Sequence, residues 1–263
     1  MTRLKPLCLF VGACVTVVAL NAHARTLAEV MQSKTLIVVT TAASPPHGFL
    51  DPATNSMRGI MVDVADAIGK HLGVTVKLTD VPFDGLIPTL TSGRADLMAA
   101  PLFITEERAQ AVDFTAPIYG WGEGVVIRND DKKRYRTLDD FKGAKVGTLV
   151  DSTQYKMIKA LPGTDVSTYQ DYFSLLADVR VGRIDLGVVD PPSVLYQIKA
   201  KSIPGVKLDP DYRAQKKWDV GACTQKNNTA LLASVNDAIA KMKQDGELHA
   251  ILVKWGIPNL ESH

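Results

Sequence analysis

Apolar residues in this chain fall into two alternating kinds of run. Residues 36–40 (LIVVT) form a short β-branched block, the pattern of a strand buried on both faces. Apolar side chains then recur at 60, 61, 64, 68 and 72, which is helical spacing, and Gly73 stops the run. A strand is expected over 74–78, a helix over 83–90 and a buried strand over 95–99. Beyond Pro101 a short helix should open at Thr105, a good N-cap, with Glu106 and Glu107 suiting the positive end of its dipole. Arg108, in the same first turn, does not suit it. Either a local acid, Glu107 or Asp113, neutralises this cation, or it holds an anion that comes from outside.

The same grammar restarts farther on. A helical turn is expected over 138–141, strands over 145–150, 166–169 and 186–189, and helices over 153–161 and 172–181. Alternation of this kind predicts an α/β architecture with parallel pairing, and its repetition predicts two lobes. Between them, Gly120, Gly122 and Gly124 surround Trp121 in an extended connector whose spacing is not a dinucleotide fingerprint. Residues 218–224 read as a second crossing. A helix over 229–243 and a last one ending near Trp255 return the chain to the first lobe. The expected division is a leader at 1–24, a first lobe at 25–117 and 221–263, a second at 122–217, and crossings near 118–121 and 218–220. Two connectors between two lobes make a hinge and a cleft, where ligands usually bind.

Composition narrows the function. Arg3 and Lys5, an apolar run over 6–20 and the small residues of Ala22-His23-Ala24 form a secretory signal peptide, which predicts a periplasmic address. The run is shorter than the ~20 residues of a spanning helix. Val11-Gly12-Ala13-Cys14 loosely resembles a lipidation site, a rival that would leave only a short apolar core before the cut. Cys8 and Cys14 leave with the leader, so Cys223 stands alone and no internal disulfide is expected. A formal charge of +2, with lysines and arginines scattered among acids, argues against nucleic acid. His47, His71 and His249 are far apart in sequence and no Cys/His ligand spacing occurs, so neither metal nor cofactor is expected. No P-loop or G-x-S-x-G elbow is present.

Several short stretches, in order, carry a resemblance. They are Gly59-Ile60-Met61-Val62-Asp63, Leu86-Ile87-Pro88-Thr89-Leu90 with Ser92-Gly93-Arg94-Ala95-Asp96, and Thr105-Glu106-Glu107-Arg108 leading to Val112-Asp113-Phe114. Val146-Gly147 with Ser152-Thr153, Gly182-Arg183-Ile184-Asp185 leading to Asp190, and Lys254-Trp255-Gly256 follow. Together they resemble the periplasmic solute-binding proteins of ABC importers, the polar amino-acid type.

The resemblance implies a type II fold in which two lobes close over a small ligand, working as a monomer with an inner-membrane permease. It assigns Arg108 to the ligand's carboxylate, where a planar fork makes two parallel charge-assisted bonds. Thr153, with Ser152 beside it, would help bind the same group, Asp190 would pair with an α-ammonium group, and Phe83 would form an aromatic wall. Pro101 and Phe103 depart from the family's small or hydroxylated residues; proline lacks an N–H donor, and phenylalanine offers only a cation–π face. Asp151 stands where glycine is frequent, and an aromatic is frequent near Ser44. An acid at Asp151 would repel a second carboxylate on the ligand. Plainer roles compete: Asp190 and Asp151 as helix caps, Phe83 and Phe103 as core, Asp63 and Asp113 as structural acids, and Trp121 as hinge lining or cleft cover. Rival functions on the same fold are a cyclohexadienyl-type dehydratase, with Asp151 or Asp190 as the acid, and a sensor serving a separate membrane receptor.

Overall fold

Strand β1 shows why its apolar run is continuous. Leu36 and Val38 point into one cluster with Ile60, Val64 and Ile68, while Ile37 and Val39 face another with Leu86 and Leu90. Both faces of the strand are covered, so alternation disappears from its sequence. These relations come from a computed structural model that describes residues 24–200, 203–260 and 262. The leader expected at 1–24 lies outside the described residues up to position 23, and Cys14 with it.

In chain order the first half runs α1 (Leu27–Ser33), β1 (Thr35–Thr40), β2 (Ala43–Ser44), β3 (Gly48–Asp51), β4 (Ser56–Arg58), α2 (Ile60–Leu72) and β5 (Thr75–Asp80). A 3-10 turn at Phe83–Gly85 leads into α3 (Leu86–Thr91), then β6 (Leu97–Met98), α4 (Glu106–Ala111) and β7 (Val112–Phe114). After β8 (Tyr119–Gly122) come β9 (Gly124–Arg128), a 3-10 turn at Leu138–Phe141, β10 (Lys145–Leu149), α5 (Thr153–Lys159), β11 (Asp165–Tyr169), α6 (Tyr172–Arg180) and β12 (Leu186–Val189). The chain continues through α7 (Pro191–Lys199), β13 (Val206–Leu208), β14 (Lys217–Val220), β15 (Cys223–Gln225), α8 (Thr229–Gln244) and α9 (Glu247–Lys254), ending in a 3-10 turn at Pro258–Leu260.

Two five-stranded sheets result, ordered β5-β1-β6-β15-β7 and β11-β10-β12-β9-β13. In each, the three strands joined by helices are parallel, as expected of right-handed crossovers. The expected parallel pairing holds for these strands, whereas β15 and β9 are antiparallel to their neighbours. Both enter directly from a crossing strand, with no helix to turn the chain round. The crossing strands β8 and β14 pair with each other, setting Trp121 opposite Trp218 and Tyr119 opposite Val220.

Residues 43–58, between β1 and α2, fold into the small antiparallel sheet β2-β3-β4. It is anchored at Gly59, whose φ of +141° favours glycine and whose added Cβ would lie 2.4 Å from the His47 carbonyl oxygen. Met61 N donates to that same oxygen at 2.9 Å, so the loop tip is bound to the start of α2. His47 is thereby held inside the protein.

Candidate functional site

Helix α4 begins as its sequence indicates. Thr105 Oγ1 accepts from the Arg108 main-chain N–H at 3.2 Å, closing the first turn. With its backbone fixed, Arg108 extends between the two sheet units and is only 8% exposed. Nη1 donates to the Phe103 carbonyl at 3.1 Å and Nη2 to the Asp151 carbonyl at 3.2 Å. The guanidinium also lies 5.9 Å from the centre of the Phe83 ring. Neither acid suggested as a local partner is one: Glu107 pairs with Lys156, and Asp113 pairs with Lys226 at 2.7 Å. Burial lowers the pKa of Arg108 from its ordinary value, yet a guanidinium remains cationic at any physiological pH. Of its five N–H donors, two are engaged by main-chain oxygens, which leaves capacity for an incoming anion.

A cavity of about 310 Å³ adjoins this side chain, lined by Phe83, Ile87, Leu102, Arg108, Asp151 and Lys156 among others. The fold therefore brings Phe83, Arg108 and Asp151 together. Asp151 is exposed, with a φ of 54°, and the helix cap proposed for it belongs to its neighbour. Ser152 Oγ accepts from Tyr155 N at 3.0 Å and donates to the Leu149 carbonyl at 2.7 Å. Thr153 is half-buried at the first position of α5. Pro101 and Ser44 are buried, and the Ser44 carbonyl accepts from His47 N at 2.8 Å. A larger cavity, about 630 Å³, lies elsewhere, between the crossing strands, α7 and the C-terminal turn, and none of the expected ligand residues lines it.

Asp190 ends β12 and precedes α7, but its side chain makes no cap. Oδ1 instead accepts from Trp121 Nε1 at 2.8 Å and from Gln154 Nε2 at 2.6 Å, while its main-chain N–H donates to the Tyr172 hydroxyl at 3.1 Å. Burial raises the Asp190 pKa above 3.8, opposed by hydrogen bonds from Trp121, Tyr172 and Gln154 and by the Arg108 charge.

Trp121 is fixed on both sides. The His47 ring stacks on it at 4.6 Å and 15°, the Phe103 ring meets it at 4.9 Å, and Phe103 stacks in turn on Trp218 at 5.2 Å. Aromatic contacts of this kind contribute about 0.5–1.5 kcal/mol each beyond burial. The Phe103 ring thus belongs to the core at the crossing, and the cation face expected of it is supplied by Phe83. His47 Nδ1 lies 2.9 Å from the Tyr119 hydroxyl, and its Nε2 is buried without a partner. The sequence marked Trp121 only as hinge or cover, and gave no periodic or motif signal for His47, Gln154 or Lys156. Among the described residues, His71, Asp245 and Glu247 place metal-ligand atoms within 4.8 Å of one another, with His71 too distant in sequence from the two acids to form a motif.

Residues 36–258 match the family model of the bacterial extracellular solute-binding proteins, family 3. The chain belongs to this family. The family 3 protein is 33% identical over 230 residues to the L-cystine-binding protein TcyJ of Escherichia coli, covering 87% of this chain and 85% of that one. Among solved structures, an ancestral arginine-binding protein bound to glutamine superposes with a TM-score of 0.78 at 34% identity, over 85% of this chain and 98% of the other. An ancestral amino acid-binding protein, a precursor of cyclohexadienyl dehydratase, gives a TM-score of 0.80 at 29% identity, over 87% and 98% of the two chains. The two-lobe α/β fold of this family 3 solute-binding protein is therefore the type II arrangement, with one five-stranded sheet per lobe. Among the described residues, no helix is long and apolar enough to cross a membrane.

Proposed function

We propose that this solute-binding protein captures a small carboxylate-bearing compound in the periplasm and delivers it, as a monomer, to an ABC permease in the inner membrane. The observation that carries the reading is the buried guanidinium of Arg108, which lies between the lobes beside a cavity and meets main-chain oxygens where a carboxylate partner would be expected. The relatives' roles in amino-acid and cystine binding support it. The lobes are taken as residues 25–117 with 221–263, and 122–217, turning about the paired strands β8 and β14. A ligand that bonds to both lobes stabilises the closed form by the difference in its contacts between open and closed states.

A dehydratase would need an acid presenting its proton to a leaving hydroxyl. Asp190 does not line the cavity beside Arg108 and holds one oxygen against Trp121 and Gln154, and Asp151 is exposed to water, which favours binding without catalysis. The test begins with a thermal-shift screen of amino acids, amines and organic acids, followed by titration calorimetry of the best carboxylate. Arg108→Ala should weaken that binding roughly 100-fold, the loss of about 3 kcal/mol of charge-assisted bonding. Unchanged affinity would remove Arg108 from the site, and turnover of prephenate or arogenate to an aromatic product would replace transport with catalysis.

A further inference from the structure

Two cavities that do not include Arg108 adjoin between α7 and the C-terminal segment. One, of about 630 Å³, is floored by the crossing strands β8 and β14; the other, of about 530 Å³, runs along α7 toward the end of α9. They share Pro192 and Leu195 on α7 and Gly256 and Ile257 just past α9, so they form one trough. Its walls come from both sheet units: α7 packs on the second, at β9 and β13, while α9 packs on α2 and α8 beside the first. The trough is apolar where water reaches it. Leu195 is 54% exposed and Val253 is 52% exposed, and the three tryptophans of the chain, Trp121, Trp218 and Trp255, all line it. A concave apolar surface left open to water marks a binding site.

The charges along the trough set the kind of occupant. Three cations, Lys199, Lys217 and Lys254, and one acid, Asp219, line it. Lys254 is paired with Asp63 at 2.7 Å, and Asp219 Oδ1 accepts from the Ser262 hydroxyl. Lys199 and Lys217 are exposed and have no acid partner among the described residues. We propose that the trough is a second binding site, separate from the cavity beside Arg108, for a free amphiphilic carboxylate. The apolar body lies along Leu195, Ile257 and the tryptophans, and the head group is directed toward Lys199 and Lys217. Apolar burial supplies most of the affinity, because each exposed cation contributes little by itself; the charge selects the sign of the head group. A membrane surface would need apolar side chains on a projecting face, whereas these line a hollow, so the occupant is a single molecule.

Decanoate, below its micelle-forming concentration, is the probe. Titration calorimetry of the full chain should show saturable binding, with a matching change in tryptophan emission. Decyltrimethylammonium, which has the same chain and the opposite head, should bind about 10-fold more weakly. Leu195→Glu, at an exposed position of α7, puts an anion where the apolar body lies and should weaken decanoate binding about 10-fold or more. Phe173→Glu replaces an equally exposed apolar side chain outside the trough and should leave binding unchanged. Arg108→Ala should also leave it unchanged, and the double variant Lys199→Ala with Lys217→Ala should bring the two probes closer in affinity. Circular dichroism of each variant checks that it is folded. Absent or non-saturable binding, equal binding of both probes, binding that survives Leu195→Glu, or an equal loss in Phe173→Glu would overturn the proposal. Loss of decanoate binding in Arg108→Ala would place the probe in the other cavity and overturn it too. A concentration-dependent dimer dissociated by Leu195→Glu would give the trough to a second copy of the chain, with the same consequence.

Discussion

His47 is neutral in the folded protein because complete burial lowers its pKa from 6.5 to about 3. The unfolded chain takes up a proton near pH 6.5 that the folded chain refuses until about pH 3. Across that window the unfolded state binds more protons, so stability falls as pH falls, by about 1.4 kcal/mol per pH unit at most. Asp190 acts in the opposite sense: its raised pKa means the folded state keeps a proton that the unfolded state has lost above pH 3.8, so its contribution falls as pH rises through that region. Circular-dichroism melts at pH 7 and pH 5 should show a lower Tm at pH 5, and His47→Asn should flatten the dependence. An equally steep profile in the variant would assign the effect to another group.

At the scale of one element, the proposed role of Arg108 would make α4 couple folding to recognition. The Thr105 hydroxyl closes its first turn on the main chain of Arg108, so the cap is made to the residue proposed to bind the carboxylate. Thr105→Ala should cost about 1 kcal/mol in urea denaturation and also weaken ligand binding, because the base of the arginine is loosened. A stability loss with unchanged affinity would show that the guanidinium is positioned by its carbonyl contacts alone. Helix α7 makes the contrasting choice. Its N-cap residue, Asp190, turns its carboxylate away from the helix toward Trp121 and Gln154, and Pro191 and Pro192 reduce the number of N–H groups left without a partner.

For the whole molecule, polar contacts from α4 join the first lobe to the second at the start of α5. Arg108 reaches the Asp151 carbonyl, and Glu107 reaches Lys156 from the same helix turn. The second pair is exposed and should be screened by salt. Lys156→Ala is expected to speed ligand release in stopped-flow tryptophan fluorescence, with the difference shrinking near ~1 M salt, where the Debye length is about 3 Å. Equal release rates at low salt would show that the pair does not hold the lobes together.

The sequence by itself determined what is local. Short apolar blocks placed β1 and β12, and period-3.6 patterns placed α2 and α8, within a residue of their bounds, because burial on both faces of a strand and side-chain direction along a helix are written in neighbouring positions. An arginine in the wrong turn of α4 singled out Arg108 as a candidate anion ligand, because helix dipole and cap are local too. Strands of two to four residues in β2, β3 and β4 carry too little pattern to read, and the antiparallel entry of β9 and β15 depends on which lobe the chain has just left. Only the tertiary structure decided what Asp190 faces. Its donors lie 69 and 36 residues away, and no periodicity links positions so far apart; their meeting follows from how two sheets are set against each other across the paired strands β8 and β14.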